Sequence, residues 1–493
     1  MKSSMKKQLV IITFICFYSF LLVAQKTGVS KQPNIILMMC DDLGYGDTGF
    51  NGSKTVLTPN LDHLAQKGIK FTRFFSGSPV CSPTRGTCLT GRHHFRYGIW
   101  KANTGRVPEQ EITIPEVLHK NGYATGHFGK WHLGAPHKEY KGKGGGENAF
   151  CPPEWFKYDE SFITHHSVKL YNPYGENGEE ALNSGNPYWH NGERVTKNIT
   201  GDDNRIIMDR VIPWVEQQSK AENPFFMVLW WHTPHTPVDA SPKHRAIYKH
   251  LPEREQKYYG AITAMDEQVG RLMEKLRAIR QLENTIIWFC SDNGPIKPGS
   301  TAGLKGSKGQ LYNGGVVVPA FLFWEGKAKA GRVVDMPCST LDYLPTLFDI
   351  TGIPQITDRP IDGISLLPMI NGENEKRSKG IPFRFENARA GAPRGGLLKG
   401  KYKYLTWFDQ AGKNKDLLFD IMADIHETND ISQLHPEIVM ELKAETDAFL
   451  QSAKKSFEGE DYNDDKYVPS AKWMTTNYKA SGGKKGKKAN KNK

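Results

Sequence analysis

The chain has 493 residues, of which 24% are charged and 38% hydrophobic, and a formal net charge of +12. That length fits a large domain with a smaller companion, and the composition excludes a disordered or membrane-filling chain. The charge does not indicate nucleic-acid binding: Lys2, Lys6, Lys7 and six lysines from Lys484 to Lys493 supply nine of the twelve charges. The body keeps about +3, and no basic stripe interleaved with aromatics falls on an expected element.

The N-terminus has a charged start, an apolar run from Leu9 to Ala24 and polar sequence after it. The run is too short for a comfortable spanning helix, so residues 1–25 are expected to be a signal peptide. Export to the periplasm or exterior follows, with no stable membrane insertion. Residues 476–493 read as a solvated basic tail, with a weak hold on acidic polysaccharide as the functional alternative. Cys16 leaves with the signal. The other six cysteines are too scattered for a disulfide framework, and Cys40 and Cys290, ending apolar runs, read as buried small hydrophobes.

The body predicts an α/β fold with a mostly parallel central sheet flanked by helices. Asn34–Cys40 is a continuous apolar run, as in a strand covered on both faces. Leu61, Leu64 and Ala65 share one face of a helix stopped by Gly68, and Pro115 opens another. Residues 135–203 lapse into Gly, Asn, Pro and aromatics and read as one long loop. A helix around Ile206 to Val215 leads to a strand over Phe225–Trp231. Ile262, Met265, Val269, Leu272, Leu276 and Ile279 define the clearest helix, followed by a buried strand over Thr285–Cys290. A catalytic domain is expected over 31–380. Short alternating runs and a helix near Pro436 to Leu450 then predict a small C-terminal α+β domain with an antiparallel sheet over 381–475.

Two of the buried strands end alike, one in Asp41-Asp42 and the other in Asp292-Asn293. In an open parallel sheet, ligands bind beyond the carboxyl ends of the strands, so both pairs meet on one edge. Three carboxylates and an amide oxygen converging there require a cation, and hard oxygen ligands select Ca²⁺ or Mg²⁺. Cys81-Ser-Pro-Thr-Arg85 starts a helix, with Ser82 as its expected N-cap and Gly91 as its stop. Cys81 and Arg85 thus sit at a helix N-terminus that favours anions, and read as a nucleophile facing an oxyanion clamp. The pairs His93-His94 and His165-His166 read as one packed and one surface residue each.

Cys81-x-Pro-x-Arg85 followed by Leu89-Thr-Gly91 resembles the motif of type I sulfatases of the alkaline phosphatase superfamily, whose cysteine is oxidised to formylglycine. Gly129-Lys-Trp-His-Leu-Gly134, Thr233-Pro-His-Thr-Pro237, Ser291-Asp-Asn-Gly294 and Gly306-Ser-Lys-Gly309 match further blocks of that family. The resemblance implies an alkaline-phosphatase-like domain and one Ca²⁺ held by Asp41, Asp42, Asp292, Asn293 and the modified Cys81. It also implies a formylglycine gem-diol nucleophile activated by a base such as Asp292. Arg85, Lys130 and Lys308 would neutralise the sulfate, His235 would protonate the departing alcohol, and His132 would take the proton that expels sulfate. A formylglycine-generating or sulfatase-maturating enzyme is the implied partner.

His232 and Lys305 each lie three residues before His235 and Lys308, and motif context favours the latter pair. The family's Glu-Gly-Gly-x-Arg-x-Pro is replaced by Asn313-Gly-Gly-Val-Val317-Val-Pro319. Export and the aromatic loop, whose Trp155, Phe156, Tyr158, Tyr171, Tyr188 and Trp189 could stack on sugars, are similar to bacterial polysaccharide sulfatases. The expected substrate is a sulfated glycan, with galactose or N-acetylgalactosamine units the first choice. The alternatives are a formylglycine-dependent phosphodiesterase or phosphonate monoester hydrolase, whose Asp-His differs from Asp292-Asn293, and a non-catalytic sulfated-glycan-binding protein.

Overall fold

The computed structural model describes residues 32–473 except 139, 141–148, 222, 374–375, 387, 389–390, 409–415 and 471. The expected signal peptide and basic tail lie outside the described residues.

The first four strands in the chain, β1 (Asn34–Cys40), β2 (Ile69–Phe75), β3 (Ala124–Lys130) and β4 (Glu160–Thr164), lie in the main sheet with later partners. Those partners are the short β5 (Trp189–His190) and β6 (Glu193–Arg194), the buried β7 (Phe225–Trp230) and β8 (Thr285–Ser291), and β9 (Val317–Trp324). β10 (Arg332–Val334) and β11 (Cys338–Ser339) complete it. The order is β10-β2-β9-β8-β1-β7-β3-β4-β5-β6, with β11 also on β2. β1 runs parallel to both β7 and β8, and β3 parallel to β4 and β7. The antiparallel pairs are those of β9 and of the edge hairpin β5-β6.

Apolar alternation in β1 explains the layering. Ile35, Leu37 and Met39 face one buried cluster and Ile36, Met38 and Cys40 the other, each strand residue removed from water. Burying one such side chain stabilises by about 1.5–3 kcal/mol. One face is covered by helices Cys81–Thr90 and Tyr343–Thr351, the other by Pro59–Lys67, Asp203–Lys220 and Glu253–Ala278. A second sheet, β12 (Ile381–Arg384), β13 (Gly395–Lys399), β14 (Tyr402–Thr406) and β15 (Leu417–Asp420), is antiparallel in chain order. Helix Pro436–Phe457 packs beside it and runs seven residues beyond the predicted end.

Four expectations change. The 135–203 segment is not one loop, because β4 inserts in register with β3. Its aromatics are largely structural: Phe156, Tyr158 and Tyr188 are buried in the two sheet-covering clusters, and only Trp155, Tyr171 and Trp189 remain partly open. His93 and His94 are both buried with stacked rings, so neither is a surface residue. The Cys81–Thr90 helix starts two residues earlier than expected, with Val80 rather than Ser82 as N-cap. Pro83 is still accommodated there, since the first-turn N–H groups have no helical partner to lose. All six described cysteines are free and buried.

Candidate active site

The register of the sheet brings the chemistry together. Cys40 pairs with Ser291, so Asp41-Asp42 and Asp292-Asn293 leave adjacent parallel strands side by side. Trp230 of β7 pairs with Met39 and Gly129, which puts the segments holding Lys130, His132 and His235 on that edge too. A side chain at Gly129 (φ +104°) would collide with the Trp230 carbonyl 2.0 Å away, so only glycine lets β3 deliver Lys130 here. Two non-glycine residues, Asp42 (φ +68°) and His132 (φ +55°), adopt left-handed backbone in the site. Such strain costs on the order of 1–3 kcal/mol and gathers at functional positions.

Ligand atoms of Asp41, Asp42, Cys81 and His235 all lie within 4.8 Å of one another. Lys130 Nζ donates to Asp41 Oδ2 at 2.5 Å and Lys308 Nζ to Asp42 Oδ1 at 2.5 Å, with Cys81 Sγ 3.6 Å from Lys308 Nζ. The Asn293 amide donates to Asp42 Oδ1 at 2.7 Å. Yet Asp41 Oδ1, Asp42 Oδ2 and Asn293 Oδ1 are buried oxygens with no hydrogen-bond donor. Leaving one buried acceptor unsatisfied costs about 1–3 kcal/mol, and three anionic or amide oxygens left open together form a hard-cation donor set.

Arg85 and Asp292 are engaged with each other. Arg85 Nη2 and Nε donate to Asp292 Oδ2 at 2.7 and 3.1 Å, and the other oxygen accepts from the Asp42 N–H at 3.1 Å. Arg85 is fully buried and its guanidinium stands 5.0 Å over the Trp230 ring. It holds the Asp292 carboxylate, while Lys308 and His235 approach Cys81. Burial, then Asp41, pushes the Asp292 carboxyl up to about 6.

The near-duplicates separate cleanly. His232 is fully buried, one ring nitrogen 2.7 Å from Thr164 Oγ1 and the other 2.9 Å from Asp203 Oδ2, so both are occupied inside the fold. His235 is partly open, with Nε2 3.7 Å from Asp42 Oδ2. Burial lowers its pKa, but Asp41 and Asp42 outweigh that and raise it to about 9. Lys305 turns away to the Glu427 carbonyl, stacked on Tyr312 and Phe419, whereas Lys308 reaches Asp42. His132 presents the opposite electrostatics to His235. Burial, then Lys130, holds it well below the ordinary histidine value. Its Nε2 lies 3.0 Å from Asn103 Oδ1, an acceptor, so Nε2 carries the proton and the partnerless Nδ1 has the free lone pair.

Sequence reasoning missed Ser167, whose hydroxyl donates to Asp41 Oδ2 at 2.8 Å, and Asn103. Neither belongs to a motif or to a periodic pattern, so no sequence signal marks them.

The family comparison agrees with this geometry. A family model described as sulfatase matches residues 33–353. The chain belongs to the sulfatase family. It is 31% identical over 377 residues to N-acetylgalactosamine-6-sulfatase of Canis lupus familiaris, covering 70% of this chain and 67% of that protein. Arylsulfatase A of Homo sapiens is 28% identical over 86% of this chain and 83% of its own. The crystal structure of Ps i-CgsB in complex with k-i-k-neocarrahexaose superposes with a TM-score of 0.77 at 28% identity, covering 86% and 94% of the two chains. The protein is thus a sulfuric ester hydrolase, a type I sulfatase of the alkaline phosphatase superfamily. Among the described residues, no helix is long and apolar enough to cross a membrane.

Proposed function

We propose that this sulfatase is exported and removes sulfate from a carbohydrate, using a formylglycine made from Cys81 and one Ca²⁺. The observation that carries the metal is the trio of buried, partnerless oxygens on Asp41, Asp42 and Asn293, beside Cys81. These three residues would hold the ion, with Asp292 and residue 81 completing the set. Once in place, the ion would supply positive charge beside residue 81, whose hydrated aldehyde would be the nucleophile. The catalytic unit spans 31–380 in this reading, and 381–475 forms the companion domain. Modification of Cys81 requires a formylglycine-generating or sulfatase-maturating enzyme as a partner.

The chain's own residues divide the remaining work. Lys130 and Lys308, whose ammonium groups flank the carboxylates, take the sulfate oxygens as charge builds on them. Asp292, kept in place by Arg85, accepts the proton of the attacking hydroxyl. His235, cationic and partly open, gives a proton from Nε2 to the departing sugar oxygen. His132, neutral and with a free Nδ1, takes the later proton. Two titratable groups driven apart by their surroundings are the usual mark of an acid and a base.

N-acetylgalactosamine-6-sulfatase and the neocarrahexaose complex among the relatives support a sulfated galactose or N-acetylgalactosamine unit as substrate. The test is sulfate release from defined sulfated oligosaccharides, with and without exhaustive chelation. Release that depends on calcium supports the reading. Full turnover after chelation, with no metal found by elemental analysis, overturns the calcium site.

A further inference from the structure

A cavity opens beside the segment that carries His235. Pro234, on one side of that histidine, forms its wall with Val238 and Ile296, and the volume is about 200 Å³. Three cations line it: Arg254 and Lys257 from the first turns of helix Glu253–Ala278, and Lys297 from the loop after β8. The Arg254 guanidinium donates to the Lys297 carbonyl, which fixes the two cationic segments against each other. Lys257 is partly balanced by Glu253 at 3.1 Å, but Glu253 also serves Arg245 at 3.1 Å. The Lys297 ammonium has no acidic partner among the described residues, and neither does the Arg254 guanidinium. Like charges drawn to one small hollow with an apolar wall form a site whose complement is an anion.

Its place says which anion. The Pro295 carbonyl, next to Ile296 of the cavity wall, accepts the Lys308 N–H at 3.2 Å, which ties the loop lining the cavity to the segment that carries Lys308. His235, as the acid, marks the side on which the alcohol leaves, and Pro234 and Thr236 on either side of it both line the cavity. We propose that Arg254, Lys257 and Lys297 form a subsite for an anionic substituent, sulfate or carboxylate, on the sugar next to the one being desulfated. The enzyme would then act on chains charged at neighbouring sugars and less well on isolated sulfated sugars. This inference rests on the carbohydrate sulfatase reading above.

The test compares wild type with the Arg254→Ala/Lys297→Ala double variant on four substrates. Three oligosaccharides share the reactive sulfate and carry a sulfate, a carboxylate or no charge on the adjacent sugar; the fourth is nitrophenyl sulfate. The double variant should lose roughly 10- to 100-fold in kcat/KM, mainly through KM, on the charged-neighbour substrates, as charge-assisted contacts imply. The neutral oligosaccharide and nitrophenyl sulfate should be unaffected. The relative loss on the sulfate and carboxylate arms identifies which anion the cavity takes. Equal losses on all four substrates would mean a structural effect, and no loss on either charged arm would mean no subsite; both overturn the proposal. Titration of the doubly sulfated oligosaccharide into Cys81→Ala protein, with and without the double substitution, reads the cavity independently of turnover. Wild-type protein inactive on every sulfated sugar would instead overturn the carbohydrate reading, while unchanged binding in that titration would overturn the subsite.

Discussion

Lys403 offers the sharpest test of how the companion sheet serves the site. It is fully buried on β14, and its ammonium lies 2.8 Å from Glu427 Oε1, 2.7 Å from Asn313 Oδ1 and 2.8 Å from the Leu311 carbonyl. Glu427 in turn accepts the Asn313 N–H at 2.6 Å. Leu311 and Asn313 follow Lys308 in the same loop, so this pair anchors the segment that presents Lys308 to Asp42. Lys403→Met leaves the buried Glu427 carboxylate without its cation and two carbonyl oxygens without the ammonium donor. Removing one partner of a buried pair costs about 3–5 kcal/mol. Lys403→Met/Glu427→Gln removes both charges and should recover part of that loss, with an interaction term of at least about 1 kcal/mol. Urea unfolding followed by tryptophan fluorescence measures the cycle, with a second probe to check that one transition is seen. Activity of Lys403→Met should also fall, because Lys308 loses its support. A single substitution costing under about 1 kcal/mol, or a double variant as damaged as the sum of the singles, refutes the anchoring argument.

Further outcomes follow from the site geometry. His235→Ala should cut sulfate release from sugars by about 10² to 10⁴ while sparing nitrophenyl sulfate, whose phenol leaves without a proton. Selective loss in His232→Ala instead would contradict the assignment, and parallel kinetics on both substrates decide between them. Asp42→Ala and Asn293→Ala should each weaken calcium binding, read by calorimetry, whereas Lys305→Ala should not. Asn103→Ala should lower kcat on both substrates alike by releasing the His132 ring, and an unchanged kcat would remove its orienting role.

The strands that build the site were legible because burial on both faces leaves unbroken apolar runs, as in Asn34–Cys40 and Thr285–Ser291. Their acidic ends followed from the rule for open sheets, and the register of β1 against β8 explains why that worked. β4 was hidden because it is short and set among polar residues. The aromatic segment misled because Phe156, Tyr158 and Tyr188 serve packing; the Tyr188 hydroxyl bonds to Asp203, which also orients His232. The joint absence of the family's Glu and Arg at Asn313 and Val317 reads in the sequence as a paired interaction removed together. The structure adds what surrounds these positions: a carboxylate and an ammonium reach Asn313 from Glu427 and Lys403, about a hundred residues away, while Val317 joins the apolar cluster of Phe75 and Phe383. Contacts of that separation leave no local pattern to read.

The central claim is that the reacting group is made from Cys81. Peptide mass analysis of protein matured with a formylglycine-generating enzyme, run beside turnover of nitrophenyl sulfate, tests it most directly. Activity should rise in proportion to the fraction of residue 81 carrying the aldehyde, and Cys81→Ala should be inert. Fully active protein whose residue 81 is an unmodified thiol would contradict the account.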